Sequence, residues 1–539
     1  MVSTISFIVR FICSFASVCV VKGGFLDQKV SAWSELNASL GCGDFHAVDL
    51  KAVGEILIPM WVTMPMNAQG QVEIRTLRYL AQRYFSHTSS LRLRGFGPSD
   101  MVTGSSWDVE ELSRRVPDFG TSGFNINKFT LEEAVVYVAA LQQVMFDAGG
   151  AVLDRVLLEQ REAIDQSLEK RDLLKVLDKY VLHWMGGDAF DGECFHPPGE
   201  QRNVCFEVPL KHELEGLVRA QVKALEFTRH YDLVTSGRSM MEQRFSPNDA
   251  HVIAGHITKN FAWFYESDCA HMKESLVALD EGRTGRIPLS IFYGASDYFG
   301  ESEGYLDAQG VLDYSTQEAQ VIIPNYLQAA SNCIVATSQY QICCLNSCER
   351  VLEDIELEVR KPQATVEELL FIVGNMTDPS SLEEDEVVVG DELTQRLREV
   401  SVAHGGNVKL HSRLFAQWLH FVFPRECPFP HKSGSVSTAS AMEYDGVVEI
   451  HRDDKIGIVA AANSSESLDQ SATAFDFRSQ WDGEEEFLAE YSANGSNVKR
   501  DVMLFVGGLL LLLVGGIGFH RQKGVGGIFA TTGTRSHWV

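Results

Sequence analysis

The sequence predicts a mainly α-helical, disulfide-braced ectodomain of two or three subdomains, followed by one transmembrane helix. Apolar residues recur at helical spacing in most segments between residues 67 and 431. Four cysteines fall within the sixteen residues from Cys333 to Cys348. An uncharged apolar run, VMLFVGGLLLLLVGGIGF, covers residues 502–519. These three observations predict a helical protein that folds in an oxidising compartment and is anchored in a membrane.

Both ends of the chain carry membrane signals. Residues 1–23 predict a signal peptide, because Arg10 precedes an apolar run that is too short to span a bilayer; an uncleaved anchor is the alternative. Residues 502–519 would span about 27 Å as a helix at about 1.5 Å per residue. Five glycines in that run would destabilise a helix in water but are tolerated in a membrane helix.

These signals predict a type I single-pass protein of the secretory-pathway membrane, in the endoplasmic reticulum, the Golgi or the cell surface. Its N-terminus is then lumenal and residues 520–539 form a cytoplasmic tail. Four glycosylation sequons fall on the lumenal side, at Asn37, Asn375, Asn463 and Asn494.

Composition limits the fold and the partners. A chain of 539 residues exceeds one hydrophobic core, and its 45% hydrophobic content is typical of globular proteins. The formal net charge of −27 argues against nucleic acid, which needs a basic face. We therefore expect no nucleic-acid partner, one membrane helix, and a protein partner whose identity the composition does not indicate.

The part of the chain between the two membrane signals shows no repeat of fixed period. Thr130, followed by Glu132 and Glu133, predicts a helix start. A turn-rich interval near residues 185–205 suggests a boundary, and the Ser-, Ala- and acid-rich composition after residue 432 predicts flexibility. The expected parts are an N-terminal helical domain (24–190), a second helical domain with a calcium-loop rhythm (191–300), a cysteine-containing helical domain (301–432) and an acidic flexible stalk (433–501).

Residues 279–292 have the residue spacing of an EF-hand loop, and they lie between two segments with helical periodicity. Asp280 stands at loop position 1, Thr284 at position 5, Gly285 at the position of the sharp turn and Ile287 at position 8. This spacing predicts an EF-hand-like unit.

The ligands of that loop are incomplete. Position 3 is Gly282 and position 12 is Ile291, so two oxygen donors are missing where calcium needs six to eight. No cofactor is expected, with a weak calcium site as the alternative. The candidate calcium residues are Asp280, Thr284 and Arg286.

The cysteines predict structural disulfides. Without Cys13 and Cys19 in the signal peptide, nine of the 11 cysteines remain (11 − 2), so at least one is free or bridges another chain. We expect four of the five cysteines in the cluster that ends at Cys427 to pair with one another. The disulfide candidates are Cys194 and Cys205, which would form one bridge, with Cys333, Cys343, Cys344, Cys348 and Cys427.

Two chemical alternatives use the same region. A zinc site would draw on His404, His411, His420, Cys427 and His431, although no CxxC pair accompanies them. A thiol nucleophile would pair Cys343 or Cys344 with His420. The sequence contains no phosphate loop, GxSxG, HExxH or dinucleotide fingerprint.

Several long motifs carry a resemblance that covers roughly Thr63 to Gly434. They include CAHMKESLVALDEGRTGRIPLSIFYG, SEGYLDAQGVLD, SNCIVATSQYQICCLNSCE and HGGNVKLHSRLFAQWLHFVFPRECPFPHKSG. The chain resembles an uncharacterised family of algal and other protist single-pass membrane proteins with an EF-hand-like segment and a CC-x3-C … PREC-P-x-PH motif. The resemblance implies a shared helical fold and no particular activity, cofactor or catalytic residue.

The function that the sequence predicts is a lumenal or extracellular binding or structural module on a membrane anchor. A lumenal calcium-binding EF-hand-like protein and a lumenal thiol- or metal-dependent enzyme are the alternatives. The sequence favours a non-enzyme.

Overall fold

The computed structural model describes most of one compact unit, Met1–Glu490. The predicted signal peptide, transmembrane helix and cytoplasmic tail lie outside the described residues. The described residues are 49–97, 128–160, 166–186, 194–195, 204–205, 209–236, 244–296, 299–337, 339–377, 387–441, 443–465 and 481–489.

Within these ranges the protein is mainly helical, as predicted. The helices are α1 (Leu50–Trp61), α2 (Ile74–Ser89), α3 (Leu131–Glu159), α4 (Lys170–Gly186), α5 (Pro209–Ser236), α6 (Pro247–Val277), α7 (Leu289–Ala295), α8 (Glu303–Ala308), α9 (Ile323–Leu327), α10 (Ser347–Val359), α11 (Val366–Gly374), α12 (Asp391–Ala403), α13 (Arg413–Val422) and α14 (Arg452–Ser465).

All strands in the described ranges are two or three residues long. They are β1 (Val72–Glu73), β2 (Leu91–Leu93), β3 (Lys128–Phe129), β4 (Leu168–Glu169), β5 (Cys194–Phe195), β6 (Val204–Cys205), β7 (Arg244–Phe245), β8 (Arg286–Pro288), β9 (Leu312–Asp313), β10 (Gln320–Ile322), β11 (Val335–Ala336), β12 (Tyr340–Ile342), β13 (Gln363–Ala364) and β14 (Val408–Lys409).

One arrangement recurs four times in the described ranges. A helix leads through a loop and a short strand into a second helix, and the strand pairs antiparallel with the strand of a similar segment. We call these paired segments modules 1 to 4. Module 1 joins α1–β1–α2 to β3–α3, module 2 joins α3–β4–α4 to α5–β7–α6, module 3 joins α6–β8–α7 to α8–β10–α9, and module 4 joins α10–β13–α11 to α12–β14–α13.

Each ladder places two buried apolar side chains opposite each other, which is why such short strands can hold the helices together. In module 3, for example, Ile287 faces Val321 and neither side chain is exposed to solvent. The equivalent pairs in the other modules are Val72–Phe129, Leu168–Phe245 and Ala364–Val408.

The helix that leaves a ladder often begins with a capping box directly after the strand. Thr130 and Glu133 close the box at the start of α3, so the helix start predicted there from sequence is present. Ser246 with Asp249 and Thr365 with Glu368 do the same at α6 and α11. A Ser or Thr followed three residues later by an acid satisfies two unpaired backbone N–H groups. This recurring signal has irregular spacing, so a search for a fixed period does not find it.

Modules 1, 2 and 3 share helices. Helix α3 leaves module 1 and enters module 2, and α6 leaves module 2 and enters module 3. The boundaries expected at residues 190 and 300 therefore fall inside modules 2 and 3 and do not separate packed bodies. A three-stranded sheet, β2–β12–β11, also links the end of α2 to the hairpin that precedes module 4.

The described part of the expected stalk is folded against this helical body. Glu449 forms a β-bridge with Glu301, and Phe487 forms one with Ser412. Ile458 and Val459 of α14 pack on the core of module 3. The prediction of a flexible stalk is wrong for 433–441, 443–465 and 481–489, because their few apolar side chains find partners on distant helices that composition does not reveal.

By length and composition, α3 is the one described helix that could cross a membrane. Of its most apolar stretch, 56% is buried inside the molecule. It packs against α1, α4 and α6, which gives it the surroundings of a core helix.

We expect the ladder of module 3 to be essential for stability. Replacing the buried Ile287 by alanine should lower the free energy of unfolding by about 2–5 kcal/mol, because it removes a packed side chain and leaves a cavity. Ile291→Ala is a matched control on α7, where the side chain is 45% exposed, and should cost roughly 0.5 kcal/mol. Denaturant unfolding measures both; equal losses would contradict this account.

Candidate functional site

The loop between α6 and β8, which the sequence marks as a calcium loop, is closed around the carboxylate of Asp280. Oδ1 of Asp280 accepts hydrogen bonds from the backbone N–H and the hydroxyl of Thr284, at 2.9 and 3.2 Å. Oδ2 accepts from the N–H of Gly285 and from Nε of Arg425, both at 2.8 Å. A second guanidinium nitrogen of Arg425 donates to the carbonyl oxygen of Asp280. The first residue of the loop is thus held by protein donors on every side.

The third candidate residue, Arg286, binds a carboxylate of the protein and is not a ligand for a metal ion. Its Nε donates to Oδ2 of Asp313 at 2.7 Å, and both side chains are almost completely buried. Asp313 also accepts the N–H of Ser315 at 2.8 Å, so it organises the second loop of module 3 as Asp280 organises the first. Burial lowers the pKa of Arg286, while Asp313 and Asp280 oppose that shift.

These residues do not fit a calcium ion. Position 3, Gly282, has no side chain, and position 12, Ile291, is apolar. The oxygens of Asp280 already accept from Thr284, Gly285 and Arg425, whereas calcium needs six to eight oxygens of its own. In the described part of the chain, no group of three or more His, Cys, Asp or Glu side chains could hold a metal ion.

The segment from Phe423 to His431, which we call the closing segment, lies over both loops of module 3. A Cβ on Gly285, whose φ is +70°, would stand 1.9 Å from the carbonyl oxygen of Pro424, so only glycine fits there. Phe429 exchanges hydrogen bonds with the side-chain amide of Asn325 at 2.7 and 3.1 Å.

The far end of the closing segment makes an equivalent contact with the second loop. His431 Nε2 donates to the carbonyl oxygen of Gly310 at 2.7 Å, and a Cβ on Gly310 would clash with that ring. The PREC and PFPH parts of the sequence motif are therefore the pieces that cover the two loops.

The clustered cysteines form three disulfides. Cys333 pairs with Cys343 and Cys348 with Cys427, so four of the five pair with one another. Cys344 pairs with Cys269 on α6, which the sequence analysis did not include among its candidates. Cys194 and Cys205 stand directly opposite each other in the β5–β6 ladder.

A thiol nucleophile at Cys343 or Cys344 has no free thiol, because both sulfurs are in disulfides. These cysteines, with Cys348, line a cavity of about 350 Å³. It lies between α2, the chain around α9, the start of α10 and the closing segment, and most of its lining is apolar. The cavity has the size of a ligand pocket, yet its sulfurs have already reacted.

The four histidines of the zinc alternative are engaged separately. His404 Nε2 pairs with Glu485, and Nδ1 accepts the N–H of Lys409 at 3.1 Å. His420 accepts from Arg286 on Nε2 at 3.1 Å, so it is neutral and donates from Nδ1 to the carbonyl oxygen of Cys427 at 2.6 Å. Burial and the nearby Arg286 lower the pKa of His420 well below its usual range.

His411 belongs to a buried charge network between modules 1 and 4. Arg83 on α2 binds both carboxylate oxygens of Glu356 on α10, at 2.6 and 3.0 Å, and Oε2 of Glu349 at 2.8 Å. Thr63 Oγ1 donates to Glu356 at 3.1 Å and lies 3.1 Å from Nε2 of His411. Burial lowers the pKa of Arg83, but the two carboxylates outweigh it and raise that pKa overall. Burial and Arg83 hold the pKa of His411 well below its usual range.

The sequons are distributed between described and undescribed parts. Asn375 ends α11 with an exposed side chain, whose Nδ2 donates to the carbonyl oxygen of Phe371 at 2.8 Å. Asn463 lies in α14. Asn37 and Asn494 lie outside the described residues.

Two residues central to this site escaped the sequence reasoning, Arg425 and Cys269. The odd number of cysteines in the cluster of five was a signal for Cys269, since one member could find a partner only outside the cluster. For Arg425 the only signal was its place in the PREC motif, and nothing in the local sequence connects it to a loop 145 residues away.

Comparison with protein-family models, with curated proteins and with solved structures finds no match to this chain.

The neutral His420 predicts a loss of stability in mild acid. Below about pH 6.5 the unfolded histidine gains a proton that the folded one does not, so the unfolded state binds more protons. Stability should then fall as the pH falls, by up to about 1.4 kcal/mol per pH unit from this residue. His420→Gln should lower stability at neutral pH but flatten the slope between about pH 7.5 and 5.5.

Denaturant unfolding across that pH range measures the slope. Asn407→Gln, at an exposed residue that does not titrate, is the control and should leave the slope of the wild type unchanged. Identical slopes for His420→Gln and Asn407→Gln would contradict the assignment.

Proposed function

We propose that this chain is a type I single-pass membrane protein of the secretory pathway whose lumenal part is a disulfide-braced binding or structural module. The observation that carries the proposal is the set of three disulfides, Cys269–Cys344, Cys333–Cys343 and Cys348–Cys427. Disulfides of this kind persist in oxidising compartments and are rare in the cytosol. The apolar run at 502–519 supplies the expected membrane anchor.

We infer that the four modules are EF-hand-like pairs. The support is the repeated order of helix, loop, short strand and helix, with one pair of buried apolar side chains in each ladder. In module 3 a glycine with positive φ stands five residues after Asp280 and two before Ile287, as in a calcium loop. Glu133, Asp249 and Glu368 lie in the first turn of the helices that follow the ladder strands, where they complete capping boxes.

A scaffold role is favoured over chemistry by how the reactive groups are used. The sulfurs of Cys343 and Cys344 are bonded, both ring nitrogens of His420 have partners, and Asp280 is enclosed by donors. Catalysis by a thiol or a metal site needs such groups to be available. The enzyme alternative therefore loses the thiols and the histidine that it named as a nucleophilic pair.

Mapping of the cysteines in the membrane-anchored full chain tests the compartment. After alkylation of intact cells and digestion without reductant, we expect peptides linked as Cys269–Cys344, Cys333–Cys343 and Cys348–Cys427. Reduction before alkylation is the control that should label all six. If most of the six react without reduction, the chain does not reside in an oxidising compartment and the proposal fails.

Glycosylation tests the topology independently. Asn375 is exposed in a sequon on the proposed lumenal side, so Asn375→Gln should remove one glycosidase-sensitive step in electrophoretic mobility. Asn407→Gln is the matched control, because Asn407 is also exposed and is followed by Val-Lys, which is no sequon. A wild-type chain whose mobility is insensitive to glycosidase would count against the lumenal placement.

A further inference from the structure

We propose that Arg425 is the permanent cation of the loop that begins at Asp280. Its guanidinium binds the carboxylate that a metal ion would bind in a calcium loop, and it keeps the loop closed without a metal. This role of Arg425 goes beyond the module function above and is independent of membrane topology and of any partner.

The first support is the saturation of the Asp280 carboxylate. An ionised carboxylate offers about four acceptor sites. Here they receive two donors from Thr284, one from Gly285 and one from Arg425. The side chain of Asp280 is only 1% exposed, so water does not compete for these sites. A charge-assisted hydrogen bond from a guanidinium is among the strongest that such a carboxylate can accept.

The second support is that Arg425 binds the main chain as well as the side chain of Asp280. Nε donates to the carboxylate at 2.8 Å and a terminal nitrogen donates to the carbonyl oxygen of the same residue. The fork of a guanidinium allows both bonds at once, which a lysine ammonium cannot reproduce with the same geometry.

The third support is the charge balance of the site. Asp280 and Asp313 bring two negative charges, and Arg425 and Arg286 bring two positive ones within the same buried region. A calcium ion would add two positive charges, although Asp280 and Asp313 are already engaged by protein donors. Buried charge without a partner is strongly unfavourable, so the loop is complete without the ion.

The fourth support is that the residues on both sides of Arg425 are fixed to other parts of the structure. Its neighbour Pro424 packs its carbonyl against Gly285, Glu426 pairs with Lys273 of α6, and Cys427 is bonded to Cys348 of α10. Anchors on both sides hold Arg425 in place, so its guanidinium is a fixed part of the loop. Module 3 should therefore keep one conformation whatever the calcium concentration of its compartment.

A double-mutant cycle in the full chain, purified in detergent, tests the pairing. Arg425→Met should lower the melting temperature by roughly 3–10 °C, because it leaves Asp280 buried and unpaired. The same change in an Asp280→Asn background should cost much less, because the remaining side chain is neutral. Arg398→Met, at an exposed arginine of α12, is the matched control and should leave the melting temperature unchanged.

Chemical rescue separates the cation role from simple packing. Methylguanidinium at low millimolar concentration should raise the melting temperature of Arg425→Ala, in which the truncated side chain leaves room for it, in proportion to its binding. Methylurea, a neutral molecule of the same shape, should not, and neither compound should affect the Arg398→Met control. Equal effects of the two compounds, or equal costs of Arg425→Met in both backgrounds, would overturn the proposal.

The wild type provides a test that needs no variant. Its melting temperature should be the same in EGTA and in several millimolar calcium chloride, and titration calorimetry should show no heat of calcium binding that Asp280→Asn removes. A calcium-dependent rise in the melting temperature that Asp280→Asn abolishes would overturn the proposal, because it would place the metal in this loop.

Discussion

The interior of this protein contains arginine side chains that are held by carboxylates from distant parts of the chain. Arg83 joins module 1 to α10 of module 4 through Glu356, and Arg425 joins the closing segment to the Asp280 loop. Each of these ions would be very costly in the interior on its own, since desolvation of one charge costs several kcal/mol. The arrangement of the modules is therefore coupled to these pairs, because a displaced module would leave charges buried and unmatched. Burial and Arg83 lower the pKa of His411, and burial and another buried arginine, Arg286, lower the pKa of His420.

The sharing of helices makes the modules mechanically dependent on one another. Helices α3 and α6 each belong to two modules, so each of them connects the ladders of two modules directly. The disulfide from Cys269 to Cys344 attaches α6 to the chain just before module 4, and the bond from Cys348 to Cys427 attaches module 4 to the closing segment. Cross-links of 75 and 79 residues restrict the unfolded chain considerably. The expected result is a body that unfolds as one unit.

Some of the carboxylates that give the chain its large negative charge form hydrogen bonds within the fold. Several acids that a metal loop could recruit are instead bonded to the protein itself. Glu133 and Glu368 cap the helices that they begin, and Asp280 is closed by Thr284 and Arg425. In these local and tertiary hydrogen bonds, protein donors occupy the acceptor sites that a metal ion would otherwise use.

The sequence by itself determined the helical class, the helix start at Thr130 and the turn at Gly285, because periodicity, capping and φ depend on residues within one or two turns. It also indicated that the clustered cysteines form disulfides, although not which sulfur meets Cys269. Only the tertiary structure decided the role of Arg425. The residues that meet there are 145 positions apart, and no local pattern records a contact that exists only after modules 3 and 4 have packed.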